Sequence, residues 1–248
     1  MKHLITAASA LVIASVGLAH AAPVDVDLEL QLLVDDSGSI DNGEFLLQRD
    51  GYADAFRSNA IINAISNGAI GAIAVELIYW SDDDEQLVAV PWQLVNDATS
   101  ANALADLIEA TTRPFQGRTG IADAINFGLP RFATNDFNGT RLVQDISGDG
   151  TENEGGNTIA ARNAAVNAGV TINALAIGSA SLANYFENEV ATADGFVLQA
   201  SNFSEFESAI QQKLQVEITG EVPVPAPLLL MGSAIAGFIG RAKIKAAK

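Results

Sequence analysis

Asp35-Asp36-Ser37-Gly38-Ser39 follows directly on the apolar run 28–34, which puts a carboxylate and two hydroxyls at the carboxyl end of a predicted strand. Open α/β sheets gather their ligand sites at such ends. An all-oxygen donor set suits a hard divalent cation, Mg2+ first, with Mn2+ or Ca2+ as alternatives. Taken alone, a short Ser/Gly/Asp cluster makes an ordinary turn or helix cap, so further oxygens must come from elsewhere. Two later segments supply them. Thr119, in Gly117-Arg118-Thr119-Gly120, stands before an apolar helical stretch, and Asp149, in Ser147-Gly148-Asp149-Gly150, follows the strand-like run 141–146. Each of these residues alone fits a cap or a turn. All five in order, each at an element end, point to one metal site.

Rival chemistries are thinner. The chain has no cysteine, and its two histidines, His3 and His20, fall in an N-terminal leader-like stretch. Ser-His-Asp and Cys-His catalysis therefore lack their base, and a zinc site built on His or Cys lacks its ligands. Asp145 to Gly150 echoes the first half of a calcium loop, but the twelfth position is Gly156 where that loop needs Glu. The acidic run Asp82-Asp83-Asp84-Glu85 offers a second cation site, or simply a solvated turn. Glu152, Asn153, Glu154 and Asn157 carry the same ambiguity. No phosphate-binding G-x-x-x-x-G-K-[ST] loop is present.

The elements that must position these residues alternate along the chain. Strands are predicted over 28–34, 73–80, 86–94, 141–146, 170–177 and 196–198. Helices are predicted from a capping box at Asp41/Glu44 through Phe56, and over 101–110, 121–129, 158–167, 182–190 and 203–214. The runs 73–80 and 86–94, joined by 81–85, form a hairpin. This order predicts an α/β fold: a doubly wound, mostly parallel sheet with one antiparallel edge strand and helices on both faces.

With these motifs in place, the chain resembles a von Willebrand factor type A domain. The family pattern of D-x-S-x-S, then T, then D-G falls on Asp35, Ser37, Ser39, Thr119 and Asp149, within an uncharacterised exported bacterial branch that has S-G-D-G where animal members usually have T-D-G. The resemblance covers 25–217. It implies a metal-ion-dependent adhesion site in which Ser37, Ser39 and sometimes Thr119 ligate directly, Asp35 and Asp149 act largely through waters, and a partner's carboxylate fills the open position.

The ends have a different composition. Residues 1–22 have a basic start, an apolar stretch and Ala19-His20-Ala21, the pattern of a cleaved signal peptide. Residues 218–227 form a proline-rich spacer, followed by an apolar segment and a basic tail over 228–248. The apolar part is short for a lasting membrane span, and the tail fits a cytoplasmic flank. Val222-Pro223-Val224-Pro225-Ala226 resembles the motif of PEP-CTERM sorting signals. That resemblance implies processing by an exosortase, transient or anchoring membrane contact, and delivery to the cell surface, periplasm-facing membrane or extracellular matrix of a Gram-negative bacterium.

Of 13 Lys and Arg only 8 lie in 25–217, against 29 of 30 Asp and Glu, a net charge of −21 for the domain. A field of that sign repels nucleic acid and concentrates cations. The expectation is an exported binding or adhesion module rather than an enzyme, engaging a carboxylate on a protein or polysaccharide through its cation. The alternatives are a metal-dependent hydrolase and a matrix protein that binds calcium diffusely.

Overall fold

A computed structural model describes residues 22–221 of the chain. In chain order the elements are β1 (Val24–Val26), β2 (Leu28–Asp35), α1 (Asn42–Arg57), α2 (Asn59–Ser66), β3 (Ile73–Trp80), β4 (Gln86–Val95), α3 (Ala98–Glu109) and α4 (Ile121–Gly128). There follow β5 (Phe137–Gly139), β6 (Leu142–Gly148), α5 (Thr158–Asn167), β7 (Val170–Ile177), α6 (Ala180–Tyr185), β8 (Val197–Ala200) and α7 (Phe206–Thr219).

Six strands form one sheet in the order β4-β3-β2-β6-β7-β8, parallel throughout except for the antiparallel β3–β4 pair at one edge. This is the predicted architecture. β2 and β3 are buried on both faces, which accounts for their nearly unbroken apolar runs. Successive β2 side chains alternate between two cores. Leu30, Leu32 and Val34 pack with α1, α2, α3 and α7, while Leu33 packs with α4, α5 and α6. Asp35 continues the Leu33 side and Asp36 the other. Pro91 is accommodated because β4 is an edge strand with no further neighbour.

Local chemistry sets the helix starts. Asp41 caps α1 by accepting from Gly43 and Glu44 backbone N–H at 2.6 and 2.9 Å, and Glu44 accepts in return from Asp41 N–H at 2.8 Å. Gly51 lets α7 approach α1, since a Cβ there would sit 2.9 Å from Phe206 Cδ1, and Tyr52 packs edge-on to Phe206.

Several expectations need correction. The helix predicted through Phe56 is followed by a separate helix, α2, because Ser58 ends α1 in extended backbone and caps α2 through Ile61 N–H. A two-stranded parallel ladder of β1 and β5 was not expected, as each strand has only three residues. The helix predicted over 182–190 is α6 followed by a π-helical turn, Phe186–Val190. Helix α7 begins after a 3-10 turn and runs to Thr219, so the spacer expected from 218 starts later; Gly220, at φ 69°, ends the helix. Residues 1–21, the sorting motif Val222-Pro223-Val224-Pro225-Ala226 and the apolar segment with its basic tail lie outside the described residues. Among the described residues, no helix is long and apolar enough to cross a membrane.

Candidate metal centre

β2 and β6 are parallel neighbours, so their carboxyl ends open on one side of the sheet. Asp35 is fully buried at the end of β2. Its backbone carbonyl accepts from Gln48 Nε2 at 3.1 Å, and its Oδ1 accepts from Ser37 N–H at 2.8 Å. That short turn brings Ser37 Oγ to 3.1 Å from Ser39 Oγ, and Ser39 donates to Asp149 Oδ1 at 2.6 Å. Four of the five predicted residues are thus linked by contacts between the ends of β2 and β6.

Glycines allow the approach. A Cβ on Gly148 would sit 2.8 Å from Asp35 Oδ2, and one on Gly150 would sit 3.2 Å from Thr119 Oγ1. The S-G-D-G variant therefore flanks Asp149 with residues that let Asp35 and Thr119 close in. Thr119, the fifth residue, reaches the cluster beside Gly150. It is held by Asn153: Thr119 N–H donates to Asn153 Oδ1 at 2.9 Å, Asn153 N–H donates to Thr119 O at 3.0 Å, and Asn153 Nδ2 donates to Thr119 Oγ1 at 3.4 Å.

Asp36 works from the opposite side of β2. Its carboxylate accepts from Arg113 Nε at 2.7 Å and Phe115 N–H at 2.8 Å, while Arg113 also donates to Ser37 O at 3.1 Å. Gly38 N–H donates to Gly117 O at 2.7 Å, and a Cβ on Gly38 would meet Gln116 O at 2.9 Å. Asp36 and Arg113 therefore bind the 113–119 segment to the D-x-S-x-S turn. Arg113 was not singled out from sequence, because an arginine 77 positions from its partner gives no local signal.

The electrostatics suit a cation. Asp35 Oδ2 is buried and accepts no hydrogen bond of good geometry, the Asp149 backbone N–H bearing on the carboxylate only weakly. Burial, with Asp149's charge adding to it, pushes the Asp35 carboxyl up to about 7 against the opposing hydrogen bonds from Ser37. Buried acceptors without partners are rare in folded proteins. Two carboxylates with three neutral hydroxyls suit a hard divalent ion, so the residues fit the implied group. Ser39 is exposed and Asp149 half-buried, which leaves the mouth open. Beside Asp149 lies a cavity of about 310 Å³ lined by Thr151, Ser179, Ser181 and Leu182.

The acidic turn after β3 reaches the same end of the sheet, since β2 and β3 are parallel. Its carboxylates divide. Asp82 and Asp83 join Glu154, with ligand atoms within 4.8 Å of one another. Asp84 is exposed outside that group, and Glu85 points a buried, unpartnered Oε2 toward Gly117. Arg118 lies against the cluster, 3.5 Å from Glu154 Oε2, with its N–H donating to Asp82 Oδ2 at 3.4 Å. Glu152 is structural: it accepts from Ala122 N–H at 3.0 Å in the first turn of α4, whose start has no other side-chain cap. Asn157 likewise caps α5.

Comparison with known proteins bears on the family and the fold. The model of a family described as "Protein of unknown function (DUF1194)" matches residues 25–222. No curated protein matches the sequence. Among solved structures, proximal thread matrix protein 1 from the mussel byssus superposes with a TM-score of 0.60 at 18% identity, over 80% of this chain and 50% of that one. Another structure of that protein, with a zinc-occupied MIDAS motif, gives 0.59 at 18% identity over the same shares of the two chains. A von Willebrand factor type A protein from Catenulispora acidiphila gives 0.55 at 14% identity, over 78% of this chain and 43% of that one. The chain thus spans about half the length of these proteins or less, and the likeness shows a von Willebrand factor A fold.

Proposed function

The chain belongs to the DUF1194 family, and on that footing we propose that it is an exported, surface- or matrix-associated binding module that holds a divalent cation to engage a partner's carboxylate. The observation that carries this reading is Asp35 Oδ2, buried and without a well-formed hydrogen bond, in an all-oxygen cluster whose mouth is open. Asp35, Ser37, Ser39, Thr119 and Asp149 would hold the ion, Mg2+ before Mn2+ or Ca2+. The ion would supply a positive charge that a carboxylate can meet directly. The chain's own residues set the geometry: Gln48 fixes Asp35, Asn153 fixes Thr119, and Arg113 ties the two loops together. The zinc-occupied MIDAS motif of the mussel thread protein supports a cation at this place in the fold.

The partner is a protein or polysaccharide that offers a carboxylate, and the sorting signal with its exosortase-type processing would deliver the module to the cell surface or matrix. Equilibrium dialysis tests the site. One tight ion per chain, abolished by Asp35→Ala, is the expected result; many weak ions unaffected by that change would replace it with diffuse calcium binding. Hydrolysis of phosphoesters in Mn2+ by the native chain but not by Asp149→Ala would favour the metal-dependent hydrolase instead.

A further inference from the structure

On the α7 side of the sheet, midway along β6, lies a buried ionisable cluster. Lys213 on α7 and Asp145 on β6 are fully buried, and Glu217, one turn after Lys213, is 2% exposed. Lys213 Nζ lies 2.5 Å from Asp145 Oδ1, in an ion pair too bent for a hydrogen bond, and donates to Glu217 Oε1 at 2.6 Å. Asn173 on β7 donates to the same Glu217 oxygen at 2.9 Å, while Glu217 Oε2 and Asp145 Oδ2 have no partner.

The charges do not balance. At contact distance one ammonium meets two carboxyl groups, the Arg141 guanidinium being engaged by the carbonyls at the end of α7, and an uncompensated charge at such depth is strongly unfavourable. A bound proton restores neutrality. We propose that this cluster is a proton-operated latch, in which one proton held at Glu217 keeps α7 firmly docked on β6 and β7 and loss of that proton loosens the helix.

The surroundings support placing the proton on Glu217. Both of its donors converge on Oε1, leaving Oε2 free to carry hydrogen. Burial, followed by the charge of Asp145, pushes the Glu217 carboxyl up to about 8, against the pull of Lys213 and Asn173. The other ionisable groups facing it are Tyr52 of α1, whose hydroxyl is pushed well up by burial and by Asp145, Arg141, just before β6, and Asp194 across the adjoining cavity. Arg141 donates to the carbonyls of Glu217 and Ile218 at 2.6 and 2.7 Å, binding the end of α7 whatever the proton does. A cavity of about 380 Å³, lined by Arg141, Thr171, Asn173, Asp194, Phe196 and Glu217, gives the proton a route to solvent.

The sign follows from the raised value. Docking is favoured fully below the carboxyl's ordinary 4.5 and is weakened as pH rises through about 8. This latch is independent of the proposed cation site. The test is hydrogen exchange of the full chain in saturating Mg2+, corrected for intrinsic rates. Protection of α7 amides should fall on the order of tenfold per unit between about pH 6 and 8, while α5 holds. Glu217→Gln, an isostere of the protonated acid, should make the α7 profile flat. A flat native profile, or an unchanged slope in the variant, overturns the latch. If the variant does not fold, the carboxyl carbon resonance of Glu217 in the native chain decides: a midpoint near 8 supports the latch and one below about 5 removes it.

Discussion

Ser39 donates to Asp149 Oδ1 at 2.6 Å across 110 positions of sequence, closing the end of β2 onto the end of β6. The contact gathers one carboxylate, two hydroxyls and the buried Asp35 around a common point. Asp149 is the member of that group nearest the mouth, and no described secondary structure depends on its side chain. Asp149→Ala should therefore fold and lose its response to cation. For the native chain, Mg2+ at 100 times its dissociation constant should stabilise folding by about 2.7 kcal/mol. Thermal melts with and without chelator check this, and equal shifts in both proteins would exclude Asp149 from the site.

Gly148 is the tighter test of geometry. A Cβ there falls 2.8 Å from Asp35 Oδ2, with the buried carboxylate unable to swing away into solvent. Gly148→Ala should destabilise the domain by roughly 1–3 kcal/mol, the usual range for overpacking, and should also weaken cation binding. Urea unfolding together with ion titration separates the two effects. A variant with native stability and native affinity would show that Asp35 can move freely.

Much of this site was legible in the sequence because the sheet is parallel and its ligands cluster at strand ends. The apolar run ending at Asp35, and the one ending near Asp149, each announce such an end without knowledge of the partner strand. Strand alternation by itself separates Asp36 from Asp35. What escaped were residues whose meaning depends on tertiary neighbours. Arg113 has an unremarkable local context, yet it meets Asp36 and Ser37 O. Asn153 looked like any turn residue until its three contacts with Thr119 were visible. The short β1 and β5 have too few residues for a period-2 pattern to register. Glu217 falls beyond the helix predicted over 203–214, so its i,i+4 pairing with Lys213 and the placement of Asp145 beneath them appear only in the fold.

Arg113 gives the third prediction. It is the charged partner of an Asp36 that is fully buried, and it holds the segment leading to Thr119. Arg113→Ala leaves Asp36 with only the Phe115 N–H, and removing one partner of a buried pair is commonly worth about 3 kcal/mol or more. Stability to denaturant should drop by about that amount, and cation affinity should fall with it as the 113–119 segment loosens. Arg113→Ala combined with Asp36→Asn should recover part of the loss, because the stranded charge is gone. Absence of that recovery would mean that packing of the arginine stem, rather than the ion pair, carries the effect.

Arg118 decides what the second acidic cluster does. Its guanidinium is the charge set against Asp82, Asp83 and Glu154, and the three carboxylates lie close enough to share an ion. Asp82 and Glu154 respond to each other: hydrogen bonding from Asp83 N–H holds the Asp82 carboxyl below its usual range, while desolvation and then Asp82's charge raise Glu154. An arginine tethered there occupies the role a free cation would take. Arg118→Gln should thus add a weak Ca2+ to the count found by equilibrium dialysis, leaving the tight site at Asp35 unchanged. Addition of Asp83→Asn to that variant should return the count to its native value. If Arg118→Gln binds no extra ion, the cluster is a solvated turn that the arginine merely orders. If it instead weakens the tight ion, Arg118 serves the main site through Thr119, its neighbour in sequence.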